Sequence, residues 1–311
     1  MALLIDIKQP QWLKDEELRE QLLVYMPDAD IRCADDPGDL EDIDMLTVSD
    51  YGKGEALRYP NLKLVQKTGA GVETILADES LPPSIRVTRL RTDTSGHEMA
   101  EFTLACVLQE QRHLRAYWHN QAQCLWQAYA PRRAVETTVA VLGLGRIGRL
   151  IVDKFLSCDF KVAGWSRTPK DIENVACYAG TGELPAVLAQ ADYVISVLPS
   201  TPDTTLLFNR TSLTWMKPTA MLINVGRGSL VDEQDLIQAL DENMLAGAVL
   251  DVMQTEPLPP SSPLWRHDKV TLTPHVSGWH LGDAIKDIVE NYRRLETGEP
   301  LLNQADREIG Y

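Results

Sequence analysis

Three polar side chains, Arg227, Glu256 and His275, each stand just beyond an apolar run that reads as a buried strand. The runs are Ala220-Met221-Leu222-Ile223-Asn224-Val225, Ala246-Gly247-Ala248-Val249-Leu250-Asp251 and Val270-Thr271-Leu272-Thr273. An arginine can hold a carboxylate and polarise the carbonyl next to it. A histidine can deliver a proton near neutral pH as hydride reaches a carbonyl carbon, and a glutamate beside it can orient the imidazole and favour its charged form. The trio therefore suits reduction of a 2-keto acid. Singly, each has a plainer explanation: a surface ion pair, a loop residue before Pro257 and an ordinary loop histidine. Open α/β sheets bind ligands at the carboxyl ends of their strands, which is where all three are expected.

A hydride needs a donor, and Thr137 to Leu150 offers a place for one. The β-branched run Thr137-Thr138-Val139-Ala140-Val141 enters Gly143-Leu144-Gly145-Arg146-Ile147-Gly148, and a helical pattern carrying Leu150, Ile151 and Phe155 follows. In a G-x-G-x-x-G turn the first glycine permits the bend and the second admits a pyrophosphate to the backbone. The third lets the helix pack on the strand, with Arg146 and Ile147 opening the helix N-terminus toward the anion. The bare pattern is weak; strand before and helix after make it a dinucleotide site. At the end of the next strand, where an acidic residue ordinarily takes the ribose hydroxyls, stand Ser166-Arg167-Thr168. Two hydroxyls and a guanidinium suit a 2′-phosphate, so NADPH is expected over NADH. Leu198 and Pro199, Val225 and Gly226, and Asp251 close later strands and are further expected cofactor contacts.

These residues need a scaffold of alternating strands and helices. Residues 1 to about 95 read as a small α/β unit, with strands at 3–7, 31–33, 45–48, 62–65 and 85–88 and a helix from Asp15 to Tyr25. The fourth strand runs into Lys67-Thr68-Gly69-Ala70-Gly71 and a helix from Val72 to Ala77. Free backbone N–H groups at Gly69, Ala70 and Gly71 would suit a carboxylate or phosphate; a plain tight turn accounts equally well for the stretch. Gly96 to His119 reads as one long helix with Met99, Phe102, Thr103, Cys106 and Val107 as a packing stripe, and Trp118 to Pro131 as a loop carrying Trp126 and Tyr129. Beyond the glycine turn, near-continuous apolar strands suit a parallel sheet covered on both faces. Asp232 is expected to cap a helix reaching Leu240, and a last helix spans Ala284 to Leu295.

The 311 residues allow two domains, and a formal charge of −15 argues against nucleic acid or an anionic membrane as main partner. The five cysteines form no C-x-x-C pair, so a reducing compartment and no metal site are expected. The amino terminus, with Asp6 inside its apolar run, reads as a strand and not a signal peptide, and a cytoplasmic protein is expected.

Together, GLGRIG at 143–148, INVGRGSLVDEQDLIQAL at 223–240, LDVMQTEPLPPSSPLW at 250–265 and TPHVSG at 273–278 resemble the D-isomer-specific 2-hydroxyacid dehydrogenases over nearly the whole chain. KTGAGVETI at 67–75, GWSRT at 164–168 and the Gly310-Tyr311 end are similar to the family's glyoxylate and hydroxypyruvate reductases. The resemblance implies two doubly wound parallel-sheet domains, Rossmann-like and flavodoxin-like, with a cleft between them that closes over ligand. It implies a discontinuous substrate domain, 1–95 plus 285–311, around a dinucleotide domain, 96–284. It further implies Arg227, Glu256 and His275 as the catalytic set, with Gly69, Ala70 and Gly71 on the substrate carboxylate. A homodimer is implied, formed through the long helix and the following loop, with Trp126 in the interface. Trp279, where small and aliphatic residues are more usual, is expected to shape the substrate pocket. The competing expectations are a cofactor-sensing binding protein on the same fold and a short phosphoglycerate dehydrogenase; the short stretch beyond the last helix and Ser166-Arg167-Thr168 weigh against the latter.

Overall fold

The computed structural model describes every residue except Pro10 and 308–311, so the Gly310-Tyr311 end lies outside the described residues. The chain divides into two compact units, Met1–Thr94 with Trp279–Tyr311, and Ser95–Gly278. Residues 279–284 thus cluster with the first unit, ahead of the expected boundary at 285. There the Trp279 carbonyl accepts a hydrogen bond from Trp12 Nε1, and Gly282 sits against Thr94.

The first unit is a five-stranded parallel sheet. In chain order it comprises β1 (Ala2–Asp6), α1 (Asp15–Leu23), β2 (Asp30–Cys33), β3 (Ile43–Val48), β4 (Leu64–Lys67), α2 (Glu73–Leu76) and β5 (Arg86–Thr88). The sheet order is β2-β1-β3-β4-β5. Leu3 and Ile5 alternate with Ala2 and Leu4 along β1 and feed separate apolar clusters, so both faces of the strand are buried. β4 lies two residues later than the apolar run at 62–65 suggests, and its buried Gln66 is satisfied inside the core by Thr88 Oγ1 and Asn291 Nδ2.

The second unit opens with α3 (Asp93–Gln111), whose first two residues fall in the first unit, and α4 (Leu114–Ala122). It continues through β6 (Thr138–Leu142), α5 (Arg146–Leu156), β7 (Lys161–Ser166), β8 (Val175–Ala179), α6 (Gly180–Gln190), β9 (Tyr193–Ser196), α7 (Arg210–Leu213), β10 (Met221–Asn224), α8 (Glu233–Asp241), β11 (Gly247–Leu250) and β12 (Val270–Leu272). Its seven strands are all parallel, in the order β12-β11-β10-β9-β6-β7-β8. The order reverses at β6, the strand that enters the glycine turn. A final helix, α9 (Ile285–Thr297), returns to the first unit and lays Ile285, Ile288, Val289, Tyr292 and Leu295 on its sheet.

The single helix expected over Gly96 to His119 is two helices, broken where His113 takes the left-handed conformation at φ 58° and its Nε2 pairs with the Ala130 carbonyl. Trp118 accordingly lies on α4, and the loop begins after it. Asp232 caps α8 as expected, its carboxylate accepting from the Gln234 and Asp235 N–H groups. Among the described residues no helix is long and apolar enough to cross a membrane.

Candidate active site

In the second unit the glycine turn has the geometry its sequence predicts. Gly143 has φ 107°, and a β-carbon on Gly148 would stand 1.7 Å from the Gly143 carbonyl oxygen. Only glycine lets α5 start so close to β6. Gly145 is the reverse case: its β-carbon would meet nothing within 4 Å, and it is exposed beside the uncapped start of α5. That opening is what a pyrophosphate requires, so the residues fit a dinucleotide. Arg146 is exposed and Ile147 half-buried at the same helix start.

At the end of β7, Ser166 is buried and its hydroxyl donates to the Thr168 carbonyl at 2.8 Å, closing a small turn. Arg167 and Thr168 face solvent on that turn. Leu198 and Val225 are buried, Pro199 half-buried, and Gly226 packs against the Leu198 carbonyl.

His275 and Glu256 come together. The imidazole Nδ1–H donates to Glu256 Oε2 at 2.9 Å, and Glu256 Oε1 accepts the Met253 N–H at 2.9 Å. With Nδ1 held by the carboxylate, Nε2 is the nitrogen turned to a reactant. The histidine side chain is 48% exposed and the glutamate 33%, so the pair is supported from below and open above. Burial raises the Glu256 pKa, but the His275 hydrogen bond and charge, the Met253 N–H and the Arg227 charge outweigh it and hold the carboxyl below its ordinary range. Arg227 is half-buried, and its Nη1 donates to the Gly226 carbonyl at 2.7 Å. The two loops meet because residue 228 is glycine: a β-carbon there would lie 1.9 Å from the Met253 carbonyl oxygen.

The sequence gives little sign of what holds His275, which sits at φ 56° outside the ordinary backbone regions. Asp251, fully buried at the end of β11, accepts from Thr273 Oγ1 at 2.6 Å and from the Val276 and Ser277 N–H groups at 2.9 and 3.0 Å. Its own carbonyl accepts the His275 N–H at 2.8 Å. The carboxylate is thus turned into the chain, and it makes Asp251 the residue that positions the histidine loop. An aspartate ending an apolar strand was the only available signal, and it also suited a cofactor contact.

In the first unit, the Gly69 carbonyl accepts the Leu90 N–H at 3.0 Å. Among the described residues no backbone hydrogen bond is donated by the N–H groups of Gly69, Ala70 or Gly71. Ala70 is exposed, as are Trp279 at 36% and, in the second unit, Trp126 over its whole surface.

Residues 104–277 match the family model described as D-isomer specific 2-hydroxyacid dehydrogenase, NAD binding domain. The glyoxylate/hydroxypyruvate reductase A of Serratia proteamaculans is 35% identical over 302 residues, covering 95% of this chain and 96% of that one. The D-isomer specific 2-hydroxyacid dehydrogenase of Xanthobacter autotrophicus Py2, solved with NADPH and MES, superposes at a TM-score of 0.91 with 40% identity over 100% of this chain and 99% of that one. The NADPH-dependent glyoxylate/hydroxypyruvate reductase of Sinorhizobium meliloti, solved with NADP and sulfate, superposes at 0.89 with 31% identity, covering 100% of this chain and 99% of that one. With the glycine turn, the paired histidine and glutamate and the parallel sheets, these likenesses lead to one assignment: the chain belongs to the D-isomer specific 2-hydroxyacid dehydrogenase family.

Proposed function

We propose that this enzyme reduces a small 2-keto acid, glyoxylate, hydroxypyruvate or a near relative, to the D-2-hydroxy acid with NADPH. The observation that carries the reading is the His275–Glu256 pair, which leaves Nε2 open beyond the strand ends of a dinucleotide fold. NADPH, when bound, supplies the hydride that adds to the keto carbon. Gly143, Gly145 and Gly148 shape the turn for its pyrophosphate, and the exposed Arg167 with Ser166 and Thr168 suits its 2′-phosphate. The complexes of the Xanthobacter and Sinorhizobium relatives with NADPH and NADP support that preference.

The backbone of Gly69 to Gly71 holds the substrate carboxylate, and Arg227 adds a cation that polarises the keto group. His275 donates its Nε2 proton to the carbonyl oxygen, and Glu256, kept ionised, stabilises the imidazolium beforehand. Trp279 lines the substrate. The protein works in the cytoplasm and as a homodimer, the latter supported by the exposed Leu114 and Trp118 of α4 and Leu125 and Trp126 after it.

Consumption of NADPH, followed by its absorbance, with glyoxylate or hydroxypyruvate tests the reading. Turnover is expected, and His275→Ala should remove at least about a hundredfold of it while leaving NADPH affinity intact. Binding of NADPH without turnover of any small keto acid would make the protein a cofactor sensor. Arg167→Ala should weaken NADPH more than NADH; equal weakening would dissociate Arg167 from the 2′-phosphate. Sedimentation of wild type and Trp118→Ser/Trp126→Ser reads the dimer.

A further inference from the structure

The turn after β4 is held from behind by a polar core. Gln66, Thr88 and Asn291 are each fully buried, on β4, β5 and α9. Gln66 Oε1 accepts from Thr88 Oγ1 at 2.7 Å and from Asn291 Nδ2 at 2.9 Å. Its Nε2 donates at 2.9 Å to the Lys67 carbonyl, two residues ahead of Gly69. Asn291 reaches the other flank as well. Its Oδ1 accepts the Leu302 N–H at 2.7 Å, and its Nδ2 donates to the Leu302 carbonyl at 3.2 Å. From there the chain runs antiparallel beside β5. The Asn303 carbonyl accepts the Arg89 N–H at 3.2 Å, and the Ala305 N–H donates to the Val87 carbonyl at 2.8 Å. Arg89 and Leu90 in turn hold the glycine turn: the Leu90 N–H donates to the Gly69 carbonyl at 3.0 Å and Arg89 Nη1 to the Ala70 carbonyl at 3.4 Å.

Burying an amide on α9 among Ile288, Val289, Tyr292 and Leu295 gains little stability, since its partners replace the water it gave up. A leucine there would continue the apolar stripe. What the amide adds is geometry: a satisfied network admits one arrangement of the two strand ends from which the turn hangs. We infer that Asn291 is a positioning residue for substrate binding: through Gln66 and Leu302 it fixes the Gly69 to Gly71 turn that takes the keto acid's carboxylate. Fully buried, it touches neither substrate nor cofactor. The inference rests on the reading of that turn as the holder of the carboxylate.

The test measures KM and kcat for glyoxylate and hydroxypyruvate in wild type, Asn291→Leu, Tyr292→Phe and the triple variant Gln66→Leu/Thr88→Val/Asn291→Leu. Asn291→Leu should raise KM about tenfold, with kcat within about twofold and NADPH affinity unchanged, the pattern of lost binding and not of lost chemistry. Tyr292→Phe removes a hydrogen bond from the same helix to the Met1 carbonyl, at the other end of the sheet. It should lower the thermal midpoint and leave KM unmoved. The triple variant makes the network apolar, so it should regain much of the midpoint lost in Asn291→Leu and keep the raised KM. If Asn291→Leu does not fold, the KM of the triple variant is the reading. An unchanged KM, or one that recovers with the midpoint, overturns the inference and leaves the proposed function standing. If no keto acid is reduced, the proposed function fails, and amide hydrogen exchange decides the inference separately. Faster exchange over residues 67–71 in Asn291→Leu, with β1 unaltered, upholds Asn291 as the support of the turn; wild-type exchange there overturns it.

Discussion

Each unit buries carboxylates at the carboxyl end of a parallel sheet, and the two ends treat them in opposite ways. Asp251 is fully buried and accepts three hydrogen bonds from Thr273, Val276 and Ser277. At the end of β1, Asp6 shares its surroundings with Glu55, whose side chain is 5% exposed. Glu55 Oε2 accepts from Lys8 Nζ and the Gly52 N–H, both at 2.6 Å. Burial and the proton shared toward Glu55 push the Asp6 carboxyl up to about 6, against the pull of Lys8, with Glu55 and Asp15 adding repulsion. Burial alone therefore does not decide what a carboxylate does to a fold. The supply of donors does.

The comparison can be broken most severely at Asp251. Asp251→Ala strands two N–H groups and a hydroxyl in the interior and should cost roughly 3–5 kcal/mol in denaturant unfolding, with a fall in turnover as the histidine loop loosens. A loss under about 1 kcal/mol would mean the loop holds itself.

Glu256→Gln keeps the shape of the His275 pair and removes its charge. Turnover should drop roughly a hundredfold, while stability changes by less than about 1 kcal/mol and NADPH affinity stays unchanged. Because the folded carboxyl lies below its ordinary 4.5, its share of stability is full above that pH and is lost only as pH falls through the lower folded value. The pH dependence of unfolding in wild type and Glu256→Gln reads that sign directly.

Asp6 has the reverse sign. Its folded value of about 6 lies above its ordinary 3.8, so its contribution is most favourable below 3.8 and declines as pH rises through 6. Asp6→Asn cannot ionise, so unfolding measured across that window should lose the decline and end about 2 kcal/mol above wild type at neutral pH. A parallel slope in the variant would place the titration elsewhere. The smallest effect belongs to Thr273→Val, which removes one of the three donors on Asp251 and should cost about 1 kcal/mol, with turnover little changed.

Much of this was legible in the residues. The apolar strands, the glycine turn and the arginine, glutamate and histidine at strand ends carry local signals, and the pairing of His275 with Glu256 is what their chemistry predicts. β8 left no such signal: Val175 to Ala179 form an edge strand that is half-buried or exposed along its length, so it lacks an apolar run. Nor did the break at His113, which contains neither glycine nor proline and is fixed by a contact to Ala130 far along the chain. Asp251 and its three donors are separated by more than twenty residues, and Asp6 and Glu55 by nearly fifty. Only the order of strands in a sheet brings such partners together.

The return of α9 to the first unit has a consequence in time. The apolar side of β1 and α1, with Leu3, Ile5, Leu18 and Leu22, is closed by Ile285, Ile288, Val289, Tyr292 and Leu295. About 190 residues separate the end of that first segment from the helix that covers it. A ribosome adding roughly 5–20 residues per second needs some ten to forty seconds to supply them. For that interval the nascent sheet exposes its hydrophobic face, while the second unit, continuous in sequence, can fold as it emerges. The interval is when the chain most needs a chaperone.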